Sequence, residues 1–240
     1  MWSFAFQKAV FCKTNYFCLF FDRLLNFPCF CIIFALYKPN TLTKMNTEAY
    51  RGKPIGRKNI AGALAGDRIL ILDGAMGTML QRLGLGEADY RPAALAGCTG
   101  ELKGDNECLN LTRPDIIRRL HDGYIAAGAD IIETNTFGAN SIAQAEYGCG
   151  SLAYSMAFEG ARLAREAADT AMQADGGRQV FVAGSIGPTS KSLSLSPSVD
   201  DPSRRDVTFD DMAAAYSVQM RGLIEGGADL LLLETCFDAL

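Results

Sequence analysis

Short apolar runs alternate with longer amphipathic stretches along the chain from about residue 68 onward. The apolar runs lack a polar residue at every second position, so they predict strands that are buried on both faces. These runs are residues 68–72, 130–133, 179–183 and 230–234. Between them, apolar residues recur at helical spacing and predict helices at 112–127, at 151–173 and from Thr208 onward. Strands that alternate with helices predict a parallel sheet covered by helices.

Two helix starts have the pattern of a capping box. Thr112 precedes Asp115 by three residues, and Thr208 precedes Asp211 by the same spacing. In this motif the threonine hydroxyl accepts the backbone N–H of the residue three positions on, and the aspartate carboxylate accepts the backbone N–H of the threonine. We therefore expect a capped helix after each threonine.

A repeated helix–strand unit indicates the fold class. The triplet Gly-Ala-Asp at 128–130 leads into Glu133-Thr134, and the same triplet at 227–229 leads into Glu234-Thr235. A (β/α)8 barrel needs eight such units and about 250 residues. The prediction is an α/β fold, a TIM-type barrel of which about the first four βα units are present, with the fourth strand as an open edge. A doubly wound open sheet is the alternative, but no Gly-x-Gly-x-x-Gly follows the first strand.

Residues 1–44 differ from the rest of the chain in composition. They are crowded with Phe, Tyr and Cys, contain no glycine, and carry five basic residues against one acidic residue, or +4. Their longest charge-free run, 24–37, is too short to span a membrane and contains Pro28. We predict that 1–44 is an atypical extension outside the fold, with Met45 as the natural start and 45–240 as the N-terminal half of a barrel. A membrane-associated leader is the minority alternative.

The net charge and the cysteine pattern indicate which classes of binding partner are expected. Since the whole chain has a net charge of −4, residues 45–240 carry −4 − 4 = −8, and they show no basic cluster. We therefore expect no nucleic-acid partner, no membrane partner and a cytoplasmic location. Eight scattered cysteines without Cys-x-x-Cys, and His121 as the single histidine, predict reduced thiols and no zinc site built from this chain alone. His121 is predicted to lie on a helix surface, and Cys236 to be a small buried residue.

The predicted strands end in acidic and small polar residues, and the carboxyl ends of parallel strands form the site in such folds. These strand-end residues are Asp73, Glu133, Thr134, Asn135, Ser185 and Glu234. Carboxylates suit a ligand ammonium group, and a glycine turn such as 184–187 suits a ligand carboxylate, so an α-amino acid is the predicted ligand. The alternative is that these residues only form turns and helix caps. The Ser-rich stretch 189–206 is either a mobile lid or an inert loop.

These same segments resemble the homocysteine-binding module of the cobalamin-dependent methionine synthase family. The matching stretches are ILDGAMGTMLQ at 71–81, AGADIIETNTFGANSIAQAEYG at 127–148, VAGSIGPTSKSLSLSP at 182–197 and EGGADLLLLETCFDAL at 225–240. The resemblance implies a (β/α)8 barrel and methyl transfer to homocysteine. It also implies that Asp73, Gly74, Thr134 and Glu234 bind homocysteine. The strand ends alone add Glu133, Asn135 and Ser185 as possible pocket-lining residues, and no residue is assigned a catalytic role.

The resemblance further implies a zinc-bound homocysteine thiolate, methylated by methylcobalamin that methyltetrahydrofolate recharges. The family's zinc cysteines lie in a Gly-x-Asn-Cys turn and a Gly-Gly-Cys-Cys turn, and neither occurs here. We therefore expect no metal ligand within this chain, zinc cysteines beyond Leu240, cobalamin and folate modules elsewhere in the full-length enzyme, and a fragment that is inactive alone. Two alternatives remain: a stand-alone homocysteine methyltransferase that uses S-methylmethionine, S-adenosylmethionine or betaine, and a non-catalytic half-barrel that dimerises.

Overall fold

The computed structural model of the chain describes residues 33–35, 60–91, 95, 98, 100–236 and 238. Its centre is a small sheet in the strand order β1-β4-β3-β2. Strands β2 (Ile131–Glu133), β3 (Phe181–Ile186) and β4 (Leu230–Leu233) are parallel to one another. Strand β1 (Ile33–Ala35) pairs antiparallel with β4. The parallel α/β arrangement is confirmed, and a closed barrel is not seen within these ranges.

Helices surround this sheet. They are α1 (Ile60–Leu64), α2 (Met76–Gln81), α3 (Glu87–Tyr90), α4 (Leu109–Thr112), α5 (Pro114–Ala126), α6 (Ser141–Gln144), α7 (Ala153–Ala174) and α8 (Phe209–Glu225). Short 3-10 turns lie at Asn106–Cys108, Ala145–Tyr147 and Gly150–Leu152. Within the described ranges, no helix is both long and apolar enough to cross a membrane.

The two faces of the sheet are covered differently. On one face, Ile132 and Val182 pack against apolar residues of α5 and α7, and Ile186 and Leu231 belong to a cluster that also includes residues of α8. On the other face, α1 covers the sheet, where Ile60 contacts a cluster of strand residues that includes Ile131 and Phe181. The strands are buried on both faces because α5, α7 and α8 cover one face, and α1 together with Leu70 and Leu72 covers the other.

Helices α7 and α8 approach closely at two glycines one helical turn apart. A Cβ atom added at Gly222 would lie 2.8 Å from the Tyr154 carbonyl oxygen, and one at Gly226 would lie 2.4 Å from the Phe158 carbonyl oxygen. Only glycine leaves room for α8 at this distance, which fixes where β4 begins after the helix.

The repeated Gly-Ala-Asp triplet has a structural explanation. The carboxylate of Asp130 accepts the N–H of Ile71 at 3.0 Å and pairs with Arg68. The carboxylate of Asp229 likewise accepts the N–H of Val182 at 2.8 Å and pairs with the fully buried Arg165 at 2.7 Å. Each aspartate therefore ties the start of its own strand to the strand before it, which is why the triplet recurs.

Three sequence predictions about the elements are wrong. The 68–72 run is not a buried strand: among its described residues only Leu72 forms a bridge, to Ile131, and Ile69 and Ile71 are 82% and 56% exposed. Thr112 does not cap a helix, since α5 begins after Arg113 and its first turn contains Pro114. The edge of β4 is not open, because β1, from the segment predicted to lie outside the fold, pairs with it. The capping box at Thr208 and Asp211 is confirmed.

Candidate active site

A pocket of about 330 Å³ opens at the carboxyl ends of the parallel strands. Its walls are residues 73–77, 106–107, 133–137, 185 and 234. All seven residues predicted from the strand ends and the resemblance line this one pocket. Their roles toward homocysteine stay predictions, but the structure brings them together.

The backbone ladder sets the register of these strand ends. The N–H of Asp73 donates to the Ile131 carbonyl oxygen at 2.9 Å, and the N–H of Glu234 donates to the Ile186 carbonyl oxygen at 3.1 Å. The N–H of Thr134 continues the ladder toward β3. Asp73, Thr134 and Glu234 are therefore each held by a backbone hydrogen bond to the neighbouring strand, so these chain positions meet on one side of the sheet.

Three carboxyl groups share the pocket, and burial raises the pKa of each. Burial is the main cause that raises the pKa of Asp73 to about 7, and the nearby charge of Glu234 raises it further. The N–H of Glu133, which Asp73 Oδ1 accepts at 3.0 Å, opposes this rise. The pKa of Glu133 rises to about 8 through burial and the charges of Glu234 and Asp73. Burial also raises the pKa of Glu234, although the Ser185 hydroxyl donates a hydrogen bond to its carboxylate. The apo pocket therefore retains protons near neutral pH.

A fourth carboxyl group, Glu107, was missed by the sequence analysis. It comes from the 3-10 turn before α4, and its Oε1 accepts the N–H of Gly138 at 2.7 Å. Burial and the neighbouring Asp105 raise its pKa to about 7. Because it does not follow a strand, the rule of strand ends could not find it, and an acidic residue before a helix indicates a cap as readily as a site.

Hydroxyl groups join β2 to β3 beneath the pocket. The Oγ1 atoms of Thr134 and Thr136 lie 2.6 Å apart, and Thr134 Oγ1 accepts the N–H of Ser185 at 3.0 Å.

The prediction that 184–187 is an anion-binding turn is wrong. β3 continues to Ile186, the Ser185 N–H is used by Thr134, and the Gly187 N–H donates to the Phe137 carbonyl oxygen at 2.9 Å.

The long loop after β3 is tied to the chain that follows β4. The Asp238 carboxylate accepts the Ser192 hydroxyl at 2.7 Å and the N–H groups of Leu193 and Ser194 at 2.6 and 3.0 Å. Lys191 pairs with Asp206 at 3.3 Å across the loop. These contacts give the loop an ordered anchor, and the choice between a lid and an inert loop stays open.

The four cysteines that the structure describes and His121 do not form a metal centre. Among the described residues, no group of three His, Cys, Asp or Glu side chains is placed to hold a metal ion. Cys98, Cys108 and Cys149 are buried free thiols, and Cys236 is a half-buried one. The residues described here therefore do not fit a zinc ion. The prediction that His121 lies on a helix surface is wrong: it is 0% exposed, and burial lowers its pKa to about 4.

Comparisons with known proteins agree with this architecture. The structure is similar to the homocysteine methyltransferase MmuM from Escherichia coli. The oxidised form matches with a TM-score of 0.54 and 23% identity over 73% of this chain and 56% of that enzyme. The metallated form matches with a TM-score of 0.53 and 24% identity over 72% of this chain and 56% of that enzyme. The chain thus spans little more than half the length of that enzyme, and the likeness shows a shared fold.

A sequence comparison supplies the family. The sequence model described as homocysteine S-methyltransferase matches residues 70–240, which include every strand-end residue of the pocket. The chain belongs to the homocysteine S-methyltransferase family.

Proposed function

We propose that this chain is the part of a homocysteine S-methyltransferase that binds the amino-acid end of homocysteine. The observation that carries the proposal is the composition of the pocket wall. Asp73, Glu133, Glu234 and Glu107 line it, and none of the lining residues is Lys, Arg or His. A half-buried group of carboxyls without a cation lacks a counter-charge, and an α-ammonium group supplies one.

Binding of the ammonium group changes the protonation of the pocket. Without ligand, burial and mutual repulsion hold the pKa of Asp73 at about 7 and that of Glu133 at about 8. A cation placed among them favours the ionised carboxylates, so protons leave as the ligand enters. Ser185 keeps a hydrogen bond on Glu234, and Thr134 and Gly74 form neighbouring parts of the wall. Affinity should therefore increase between pH 6 and pH 8.

The methyl donor and the metal are also part of the proposal. Neither is assigned to a residue that the structure describes. The likeness of residues 182–197 to the cobalamin-dependent family supports methylcobalamin, recharged by methyltetrahydrofolate on further modules, as the donor. Because the described residues form no zinc site, no step of sulfur activation is assigned to them. The proposal includes completion of the sheet to a (β/α)8 barrel and a cytoplasmic location.

Calorimetric titration with two ligands tests the proposal. The chain should bind L-homocysteine and should bind 4-mercaptobutanoate, which lacks the amino group, at least tenfold more weakly. Glu234→Gln should reduce that preference, whereas Glu101→Gln, which removes an exposed carboxylate outside the pocket wall, should leave it unchanged. Equal affinity for the two ligands would contradict an ammonium site.

Two alternatives rest on particular observations. The family match is equally consistent with a stand-alone homocysteine methyltransferase that uses S-methylmethionine, S-adenosylmethionine or betaine. Reading the coding sequence on both sides decides, because folate and cobalamin modules exclude it. The exposed Ile69 and Ile71 favour a half-barrel that dimerises, and sedimentation of the full chain as a defined dimer would support that alternative.

A further inference from the structure

A buried amide from the helical layer reaches the floor of the pocket. Gln219 lies on α8 and is 0% exposed. Its Nε2 donates to the Thr136 carbonyl oxygen at 2.7 Å and approaches the Ser185 carbonyl oxygen at 3.5 Å. The side chain therefore links α8 to the residues that follow β2 and to the last residues of β3, next to the pocket.

The peptide groups that Gln219 contacts belong to the hydroxyl network of the site. Thr136 Oγ1 donates to the Ser185 carbonyl oxygen at 2.8 Å, and Thr134 Oγ1 accepts the Ser185 N–H at 3.0 Å. Ser185 is thus held on both sides of its backbone. Its hydroxyl, the one group left to point outward, donates to the Glu234 carboxylate.

Packing alone does not require an amide at this position. Ala215, Gln219 and Leu223 lie one turn apart on the buried stripe of α8, and both neighbours are apolar. Burying an amide costs free energy unless its donors and acceptor find partners, so an apolar residue of the same length would satisfy the stripe better. What glutamine adds is the N–H donor at the strand ends.

We propose that Gln219 is a positioning residue, which fixes the Ser185 and Thr136 peptides so that the Ser185 hydroxyl points at Glu234. The consequence for homocysteine rests on the proposed function, whereas the link from Gln219 to Glu234 does not. Gln219 acts through Ser185 and Thr136, which line the pocket, whereas its own side chain is not among the lining residues.

Two readouts on the full chain test the proposal. The first is the midpoint of the Glu234 side-chain carboxyl titration, followed by carbon-13 NMR. The second is the affinity for L-homocysteine. Gln219→Met keeps the length and removes the donor, and it should raise the Glu234 midpoint and weaken homocysteine binding about tenfold; Ser185→Ala should have the same two effects. In Gln219→Met/Ser185→Ala, both readouts should match Ser185→Ala alone, because Gln219 acts through Ser185.

Controls separate positioning from loss of stability. Met172→Ala, in the helix–sheet cluster with Ile125 and Val180, should lower stability and leave the Glu234 midpoint unchanged. Thr136→Val removes the other donor to the Ser185 carbonyl and should shift the midpoint in the same direction, so it answers the question if Gln219→Met does not fold.

A wild-type midpoint in a folded Gln219→Met chain, or additive effects in the double variant, would overturn the proposal. If no variant, nor the wild type, binds homocysteine, the proposed function fails, while the Glu234 midpoint still decides the role of Gln219.

Discussion

Asp73→Asn should make the chain more stable at alkaline pH, because the buried carboxyl resists ionisation. Burial raises the Asp73 pKa from 3.8 to about 7. That difference corresponds to about 4 kcal/mol when the group is fully ionised. Between pH 4 and pH 7 the folded chain binds this proton and the unfolded chain has lost it, so the free energy of unfolding falls as pH rises. From pH 5 to pH 8 the wild type should lose about 2 to 3 kcal/mol through this one group.

Asparagine keeps the shape of the side chain and an Oδ1 that can accept the N–H of Glu133. Urea unfolding followed by circular dichroism at pH 5, 6.5 and 8 measures the effect. The advantage of Asp73→Asn over wild type should grow by about 2 to 3 kcal/mol across this range. Asp200→Asn removes one negative charge from an exposed position of the loop after β3 and serves as the charge-matched control. A stability difference between Asp73→Asn and wild type that stays constant with pH would refute the burial argument.

Two further substitutions test the fold around the site. Folded His121 has a pKa of about 4 against an ordinary 6.5, so the unfolded chain binds more protons between these values and wild-type stability should fall by about 3 kcal/mol as pH drops from 6.5 to 4. His121→Met should remove this loss in urea unfolding, and a variant with the wild-type acid dependence would contradict it. Thr235, directly after Glu234, has φ of 57°, a left-handed conformation that a β-branched residue adopts at a cost. Thr235→Gly should raise the unfolding free energy by about 1 kcal/mol at constant pH, and a destabilised variant would show that the threonine side chain makes a needed contact.

The strand-end rule located most of the site because the ladder keeps parallel strands in register. Asp73, Thr134, Ser185 and Glu234 follow separate apolar runs, and parallel pairing brings such ends to one side of a sheet. Glu107 escaped the rule because its position depends on how the chain between α3 and α4 folds back onto Gly138. That contact is long-range, and no local pattern in the sequence encodes it.

Two predictions were wrong because a residue was assigned to a turn or to a helix surface, whereas in the structure it packs in the interior. Gly184 was predicted to make a turn, but it lies in β3, where an added Cβ would be 3.1 Å from Leu223 Cδ1. The glycine there allows α8 to approach the strand. His121 was placed on a helix surface, yet Ile117, His121 and Ile125 are spaced four residues apart and all three are buried. That spacing was visible in the sequence, and the histidine's polarity outweighed it in the prediction.

The most direct test of the account counts the protons released when L-homocysteine binds. Titration calorimetry at pH 7 in two buffers of different ionisation enthalpy gives that number. Since Asp73 and Glu133 have pKa values of about 7 and 8, the account predicts a net release that grows smaller in Asp73→Asn. Binding with no proton release, or with proton uptake, would contradict the claim that these carboxylates receive the substrate's ammonium group.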